Sequence, residues 1–266
     1  MGGALSDVCF RAGVDVGTVP PAVLQSPRGL AWSDVYGLVV SDDISARITS
    51  VDSSRLFPPP TLGMPNSQPT FNAPAGVAVT PADTVYVADA GNARIVQIDD
   101  LDGDTWSEYG SAVPITPGDQ VARGAFRNPT GIAVDDLGRI YVTDTKLGSL
   151  VRFDDMSGTG WTRVVNPAVG VPVSVTAHGS GCLVTDIGQQ AVIEFDADLN
   201  RVSRIVDPRL QLPMRVAEVT ATRRLVLCGS PPILAEIAAD ANGWRIVETL
   251  DLQRVGITKP VDMVRL

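Results

Sequence analysis

The sequence predicts an all-β protein made of repeated, four-stranded antiparallel units. Five segments align on a proline followed by an apolar run, and a sixth start lies near the end of the chain. The six starts are SPRGLAW, APAGVAV, NPTGIAV, VPVSVTA, LPMRVAE and KPVDMVRL, which begin near residues 26, 73, 128, 171, 212 and 259. In the first five segments a second apolar run ends 15 residues after the proline, or 14 in the fourth. Self-similarity in such register is the signature of a repeat architecture.

Each unit also contains a third and often a fourth run. Short stretches of Val, Ile, Leu, Thr and Tyr alternate with Gly, Asp, Asn or Ser, which is the pattern of strands and turns. No stretch keeps a period of 3.6 residues, so few helices are expected. Three tryptophans recur at the start of the fourth run, where we expect outer-edge packing: Trp106, Trp161 and Trp244. Four antiparallel strands in about 40 residues describe one blade of a β-propeller.

Composition supports one propeller domain over residues 1–266. With 44% apolar residues the chain can bury a large core, and its 25 Gly and 20 Pro residues exclude a helical bundle. The formal net charge of −9 argues against a nucleic-acid partner, because that affinity depends on Lys and Arg at phosphates. No apolar run is long enough for a membrane span. The three cysteines are too few for a disulfide framework.

The start of the chain, MGGALSDVCF, has no basic segment followed by an apolar one. It therefore predicts no signal peptide and a cytoplasmic protein, with a secreted protein that has lost its leader as the alternative. The single histidine, His178, excludes a zinc site with several histidines. We expect it at the surface, in a turn.

Two segments carry a family resemblance. The stretch GAFRNPTGIAVDDLGRIYVTDTKLGSLVRF, residues 124–153, resembles an NHL repeat, and FNAPAGVAVTPADTVYVADAGNARIVQI, residues 71–98, is similarly close. The resemblance implies a propeller of six blades. Its ring would be closed by the N- and C-terminal segments, which would share the last blade, with LSDVCF and GVDVGTV as the candidate N-terminal strands.

One face of such a propeller is the expected binding surface. If the strands of a blade are lettered A to D outward from the axis, the B–C turns and the D–A connections share one face, which we name the mouth face. Two D–A connections, 57–71 and 110–126, are long and predict a binding role for that face; the alternative is that they merely cap the channel. The candidate binding residues in them are Pro58, Pro59, Pro60, Met64, Asn66, Thr116, Asp119 and Arg123.

Four aligned aspartates end strand B on the same face: Asp42, Asp89, Asp144 and Asp186. A ring of carboxylates could hold Ca²⁺ or another divalent ion, which takes about six to eight oxygen ligands. The preferred interpretation is that each aspartate caps the following turn with its side chain, so no metal or cofactor is predicted. Gly29, Gly76, Gly131 and Ser174, two residues after the proline, are interpreted as packing residues near the axis.

Similar six-bladed propellers include metal-dependent lactonases, in which a glutamate just before the first inner strand binds the metal. The residues two before each proline contain no glutamate here: Gln25, Asn72, Arg127, Gly170, Gln211 and Thr258. The sequence therefore favours a non-catalytic scaffold that binds a protein partner, a larger assembly or a small ligand through the mouth face. A lactonase-like, hydrolase-like or lyase-like propeller enzyme is the alternative.

Overall fold

The computed structural model is an all-β propeller with five four-stranded antiparallel blades among its described residues. In each blade the strands are hydrogen-bonded in the order in which they follow along the chain. The structure describes residues 24–51, 61–62, 70–99, 101, 105–112, 121–241, 243–257, 259–260 and 262–263.

The strands are short, as the spacing of turn residues in the sequence predicts. Blade 1 contains β1 (Pro27–Ser33), β2 (Gly37–Asp42), β3 (Arg47–Val51) and β4 (Thr61–Leu62). Blade 2 contains β5 (Pro74–Val79), β6 (Val85–Asp89), β7 (Arg94–Ile98) and β8 (Trp106–Tyr109). A short parallel pair follows, formed by β9 (Ser111–Ala112) and β10 (Ala125–Phe126).

The later blades repeat the same plan. Blade 3 contains β11 (Pro129–Val134), β12 (Ile140–Asp144), β13 (Ser149–Phe153) and β14 (Thr162–Val164). Blade 4 contains β15 (Pro172–His178), β16 (Gly181–Asp186), β17 (Ala191–Phe195) and β18 (Arg201–Val206). Blade 5 contains β19 (Pro213–Thr220), β20 (Arg223–Gly229), β21 (Pro232–Asp240) and β22 (Gly243–Asp251). Two 3₁₀ turns cover Ala90–Asn92 and Leu252–Val255.

The repeat register counted in the sequence is the pairing register of the blades. The proline that opens strand A lies opposite the last aligned residue of strand B in all five blades. These pairs are Pro27 and Asp42, Pro74 and Asp89, Pro129 and Asp144, Pro172 and Asp186, and Pro213 and Cys228. Proline cannot donate a ladder hydrogen bond, so the first position of a strand is where a sheet tolerates it. The register shifts directly after each of these prolines.

The core lies between successive blades. Val39 and Ile48 of blade 1 pack in one cluster with Val87 and Val96 of blade 2, and equivalent clusters join the next blades. Strand β16 is buried at all six positions, because neighbouring blades cover both of its faces. Outer strand β18 is mostly exposed. Apolar residues at consecutive positions therefore mark the inner strands, as in other doubly covered sheets.

Inner strands approach one another closely around the axis. A Cβ atom at Gly29 would lie 2.5 Å from the carbonyl oxygen of Ala75 in blade 2. At Gly131 it would lie 2.8 Å from the Cα atom of Ser174 in blade 4. The neighbour is backbone in both cases, so these positions require glycine. The interpretation of these glycines as packing residues agrees with this geometry.

The expected count of six blades is not met, because only five are formed by the described residues. The sixth was assigned to the segments before residue 26 and after residue 258, and most of these, including LSDVCF and GVDVGTV, lie outside the described residues. The described residues there, 24–25, 259–260 and 262–263, are not in strands. Met263 nevertheless packs against a cluster on blade 5, and Asp262 accepts a hydrogen bond from the Leu30 N–H of blade 1.

The close approach at the axis can be tested with Gly131→Ala. Because the added methyl group meets backbone, we expect the free energy of unfolding to fall by about 1–3 kcal/mol in chemical denaturation. Gly229→Ala is the matched control, since a Cβ there makes only ordinary contacts at 3.5 Å with Met214. Equal stability of the two variants would contradict the crowded axis.

Candidate functional site

A cavity of about 310 Å³ lies on the propeller axis at the mouth face. All five blades contribute to its wall, and so does Asp262. The residue directly after each strand-A proline lines it, one from each blade: Arg28, Ala75, Thr130, Val173 and Met214. The site is therefore built by the start of every inner strand, and its geometry depends on how each strand enters its blade.

The aligned aspartates hold those strand entries in place. The carboxylate of Asp144 accepts a hydrogen bond from the Arg127 N–H at 2.7 Å, before strand A, and another from the Leu147 N–H at 2.9 Å, in the B–C turn. Asp186 makes the same two kinds of contact, with Val171 and Gln189. Both carboxylates are fully buried. One side chain thus joins two adjacent segments of the mouth face.

The aspartates of blades 1 and 2 also join these two segments, and in blade 2 the second contact is with side-chain donors. Asp42 accepts from the N–H groups of Ser26 at 3.1 Å and Ser45 at 3.0 Å. Asp89 accepts from the Asn72 N–H at 2.8 Å and from the Arg94 guanidinium at 2.9 Å. These contacts agree with the turn-capping interpretation and extend it to the chain before strand A. Within the described part of the chain, no three His, Cys, Asp or Glu side chains form a cluster able to hold a metal ion.

Two arginine–aspartate pairs line the cavity. At its rim, Nε and Nη2 of Arg28 both donate to Oδ2 of Asp43, at 3.0 and 2.9 Å. Deeper in the wall, Nε of Arg215 lies 3.2 Å from Oδ1 of Asp262. Burial raises the pKa of Asp262, an effect that Arg215 and the N–H groups of Leu30 and Met263 partly offset. The cavity therefore presents two guanidinium groups and two carboxyl groups.

Arg215 and Asp262 are not among the predicted site residues, although each occupies a position that the repeat marks. Both lie two residues after an aligned proline, where the first three segments have glycine. A charged residue at this crowded position, where the first three repeats have glycine, was the signal that could have identified them. Their contact could not be predicted, because it depends on how the end of the chain meets blade 5.

Most of the predicted binding residues lie outside the described residues: Pro58, Pro59, Pro60, Met64, Asn66, Thr116 and Asp119. Arg123 is described, and its guanidinium donates to the carbonyl oxygen of Gly158 in blade 3. It does not line the cavity. Its binding role stays a prediction.

The expectation that His178 is a surface residue is wrong, because its side chain is only 19% exposed and lies between blades 4 and 5. Its Nδ1 lies 2.6 Å from Oε2 of Glu218, and its Nε2 lies 3.5 Å from Oε1 of Glu194. Arg224, which is 1% exposed, donates to Glu194 at 2.9 Å and lies over the Trp244 ring, 3.9 Å from its centre. We name His178, Glu194, Glu218, Arg224 and Trp244 the interblade cluster.

The structure also places the other residues that the sequence marked. Trp161 and Trp244 pack against core clusters, whereas Trp106 is 37% exposed on the outer strand β8. Cys182 and Cys228 are fully buried free thiols, and burial raises the pKa of both. Neither thiol contributes to the cavity wall. No helix in the described part of the chain is long and apolar enough to cross a membrane.

Comparison with known proteins supports the propeller assignment. Residues 71–98 and 126–153 match the NHL repeat. These two NHL repeats correspond to the inner three strands of blades 2 and 3. No curated protein sequence matches the chain.

Solved structures share the fold at low sequence identity. A chain of the nidogen–laminin complex is similar with a TM-score of 0.68 and 18% identity, over 86% of this chain and 81% of that one. Streptogramin B lyase has a TM-score of 0.62 and 16% identity, over 85% and 68%. Virginiamycin B lyase from Staphylococcus aureus has a TM-score of 0.61 and 16% identity, over 85% and 70%. At these identities the similarity shows the fold alone.

The aspartate contacts predict an acid-sensitive contribution to stability. Burial raises the pKa of Asp42, but hydrogen bonds from Ser45, Gln25 and Ser26 outweigh it and lower the pKa below the ordinary 3.8. The carboxylate therefore stabilises the native state above pH 3.8, and this contribution is lost as the pH falls through the lowered pKa. At pH 7 we expect Asp42→Asn to lower the free energy of unfolding by about 1–3 kcal/mol.

The measurement is urea denaturation of wild type and Asp42→Asn between pH 7 and pH 3. The difference between them should shrink as the pH falls. Asp43→Asn is the control, because its pair with Arg28 is partly exposed and such pairs contribute about 0–1 kcal/mol. A difference that stays constant with pH would contradict a charged, hydrogen-bonded Asp42.

The interblade cluster predicts a second stability effect. Burial raises the pKa of Glu194, but hydrogen bonds from Arg224 and Ser203 outweigh it, so the pKa lies below the ordinary 4.5. Glu194→Gln removes the charge that faces a buried guanidinium and should lower the free energy of unfolding by about 1–3 kcal/mol at pH 7. Glu248→Gln, at an exposed position of β22, should change it little. Similar losses in both variants would show that the cluster does not hold blades 4 and 5 together.

Proposed function

We propose that this chain is a non-catalytic binding propeller that docks a protein partner on its mouth face. The single observation that carries the proposal is the axial cavity, whose wall takes one residue from the start of each of the five blades. Because buried carboxylates hold these entries in four blades, the surface is ordered before a partner arrives. Preorganised surfaces lose less conformational entropy on binding.

The long connections that the sequence analysis singled out end at the same face. The carbonyl oxygen of Thr70, at the end of the first, accepts hydrogen bonds from Arg94 and Asn92 in the B–C turn of blade 2. Arg127, directly after the second, donates its N–H to Asp144. The proposed partner surface therefore combines the cavity rim with the D–A connections.

A protein partner also has support among the similar structures. The nidogen–laminin complex contains a propeller of this fold together with a protein partner. The lyases are enzymes of the same fold, and a lyase-like or hydrolase-like activity is the alternative function. We favour binding because the four aligned carboxylates at the mouth face, the candidate metal ligands of the sequence, accept backbone hydrogen bonds.

We further propose that the chain is one domain and that its ring closes between blade 5 and blade 1, where the sixth blade is expected. Two contacts support this position. The carboxylate of Asp262 contacts both Arg215 of blade 5 and the Leu30 N–H of blade 1. Met263 and Ile257 pack against a cluster of blade 5 that contains Leu225, Leu227 and Leu234 together with Leu252.

Site-specific photo-cross-linking tests which face binds. Arg127 is exposed at the mouth face of blade 3, and Leu137 is 74% exposed in the A–B turn at the opposite face of the same blade. A photoreactive amino acid at position 127, introduced into the full chain in its native cells, should form a discrete protein adduct. The same amino acid at position 137 should not.

Both substituted side chains are exposed, so the blade should stay intact. A difference in adduct yield between the two positions then shows which face contacts the partner. An adduct at position 137 of equal yield, or no adduct at position 127, would overturn the proposed function. The identity of the cross-linked protein follows from mass spectrometry of the adduct.

A further inference from the structure

Arg215 breaks the pattern of small residues at the propeller axis. The equivalent residue is glycine in blades 1 to 3 and serine in blade 4, because the inner strands crowd one another there. Arg215 places a guanidinium group in the cavity wall, and its side chain is only 16% exposed. A charge in such a position needs acceptors, since uncompensated burial of a charged group is costly.

Neighbouring groups contact only some of the N–H donors of the Arg215 guanidinium. Nε contacts Asp262, and Nη1 donates to the Ser174 hydroxyl at 3.0 Å. Nη2 makes no hydrogen bond to the described residues, and it is not one of the buried atoms left without a partner, so it is not sealed in the protein interior. Arginine carries five N–H donors, more than these two contacts use. The cavity therefore contains donor capacity that a ligand oxygen can use.

Asp262 is held in place and cannot turn to meet that need. Its Oδ2 accepts from the Leu30 N–H at 2.8 Å, and its Oδ1 accepts from the Met263 N–H at 2.8 Å. Moving the carboxylate towards Nη2 would leave these N–H groups without an acceptor. Arg215 is thus fixed by Ser174 and Asp262 and directs its remaining donors at the cavity.

Arg28 supplies a second guanidinium at the rim. Its pair with Asp43 involves one carboxylate oxygen, and the two side chains are 54% and 25% exposed. Exposed pairs of this kind contribute about 0–1 kcal/mol, so Arg28 can exchange Asp43 for a ligand at little cost. Its planar fork suits a carboxylate, which it can bind through two parallel hydrogen bonds.

The rest of the wall suits a small, partly apolar body. It combines the apolar side chains of Ala73, Ala75, Val173 and Met214 with the polar ones of Asn128, Thr130 and Thr145. Its volume of about 310 Å³ exceeds the roughly 150 Å³ of an apolar cavity that accepts benzene. The cavity can therefore hold a short side chain or a small organic acid.

The balance of charge favours a monoanion over a dianion. Two arginines and two aspartates face the cavity, so a phosphate dianion would meet repulsion from Asp43 and Asp262 without a surplus of positive charge. We propose that the cavity binds a carboxylate group on a short, partly apolar body, through Arg215 at its wall and Arg28 at its rim. This inference rests on the proposed binding function and names the chemical group that the mouth face recognises.

The test is a titration of the full chain with butyrate, followed through the side-chain Nε–Hε signals of ¹⁵N-labelled arginines. Butyrate should shift the signals of Arg28 and Arg215 in a saturable way, and the neutral isostere butyramide should not. Arg28→Gln and Arg215→Gln should each weaken butyrate binding about tenfold, which corresponds to one lost charge-assisted hydrogen bond.

Arg209→Gln is the matched control. Arg209 pairs with Asp207 outside the cavity, and the exposures of that pair, 54% and 21%, match those of the rim pair. If Arg215→Gln does not fold, the comparison of butyrate affinity between Arg28→Gln and Arg209→Gln tests the proposal by itself. Equal butyrate affinity in these two variants, or equal binding of butyrate and butyramide, would overturn the proposal.

A second ligand distinguishes the source of the carboxylate. N-acetylglutamate N-methylamide presents an acidic side chain as a partner protein would. Tighter binding than butyrate supports a carboxylate from a protein partner, and weaker binding supports a free organic acid. If neither ligand binds while position 127 still cross-links a protein, the carboxylate proposal fails and the proposed function stands. If butyrate binds and position 127 forms no adduct, the proposed function fails instead.

Discussion

A buried aspartate at the end of strand B is the interaction on which the other features depend. In blades 1 to 4 one carboxylate holds both the chain that enters strand A and the turn that leaves strand B. Hydrogen bonds to a buried carboxylate are stronger than neutral ones, because charge and low dielectric reinforce them. Each inner strand therefore begins at a fixed place, and these starts form the cavity wall.

Blade 5 shows what replaces the carboxylate. Its aligned residue is Cys228, which cannot make the same contacts. The backbone bond between the Gly229 N–H and the Leu212 carbonyl, at 2.9 Å, still ties the two segments, as the equivalent bond of Thr145 and Asn128 does in blade 3. Blade 5 also has the longest outer strands, with nine residues each in β21 and β22. At this position blade 5 is thus held by a backbone bond and a longer sheet rather than by a buried aspartate, and it carries Arg215 in the cavity wall.

The fold could be predicted from the sequence because its determinants are local and repeated. The strand-A proline recurs in all five units and the strand-B aspartate in four of them, at nearly constant spacing, and the structure pairs them as counted. Long-range contacts could not be predicted in this way. His178 has Glu218 as its partner across a blade boundary, 40 residues away, and nothing near His178 in the sequence indicates it. The contact of Asp262 with Leu30 spans 232 residues, and no local pattern near either residue indicates it.

Native-state hydrogen exchange of the free protein measures directly whether the mouth face is fixed before anything binds. The N–H groups of Arg127 and Asn128 both donate to the buried Asp144 carboxylate. They should exchange as slowly as the N–H groups of β12, through the same global unfolding. Fast exchange of both, at the rate of exposed turn residues such as Asp136, would contradict a mouth face held rigid by buried aspartates.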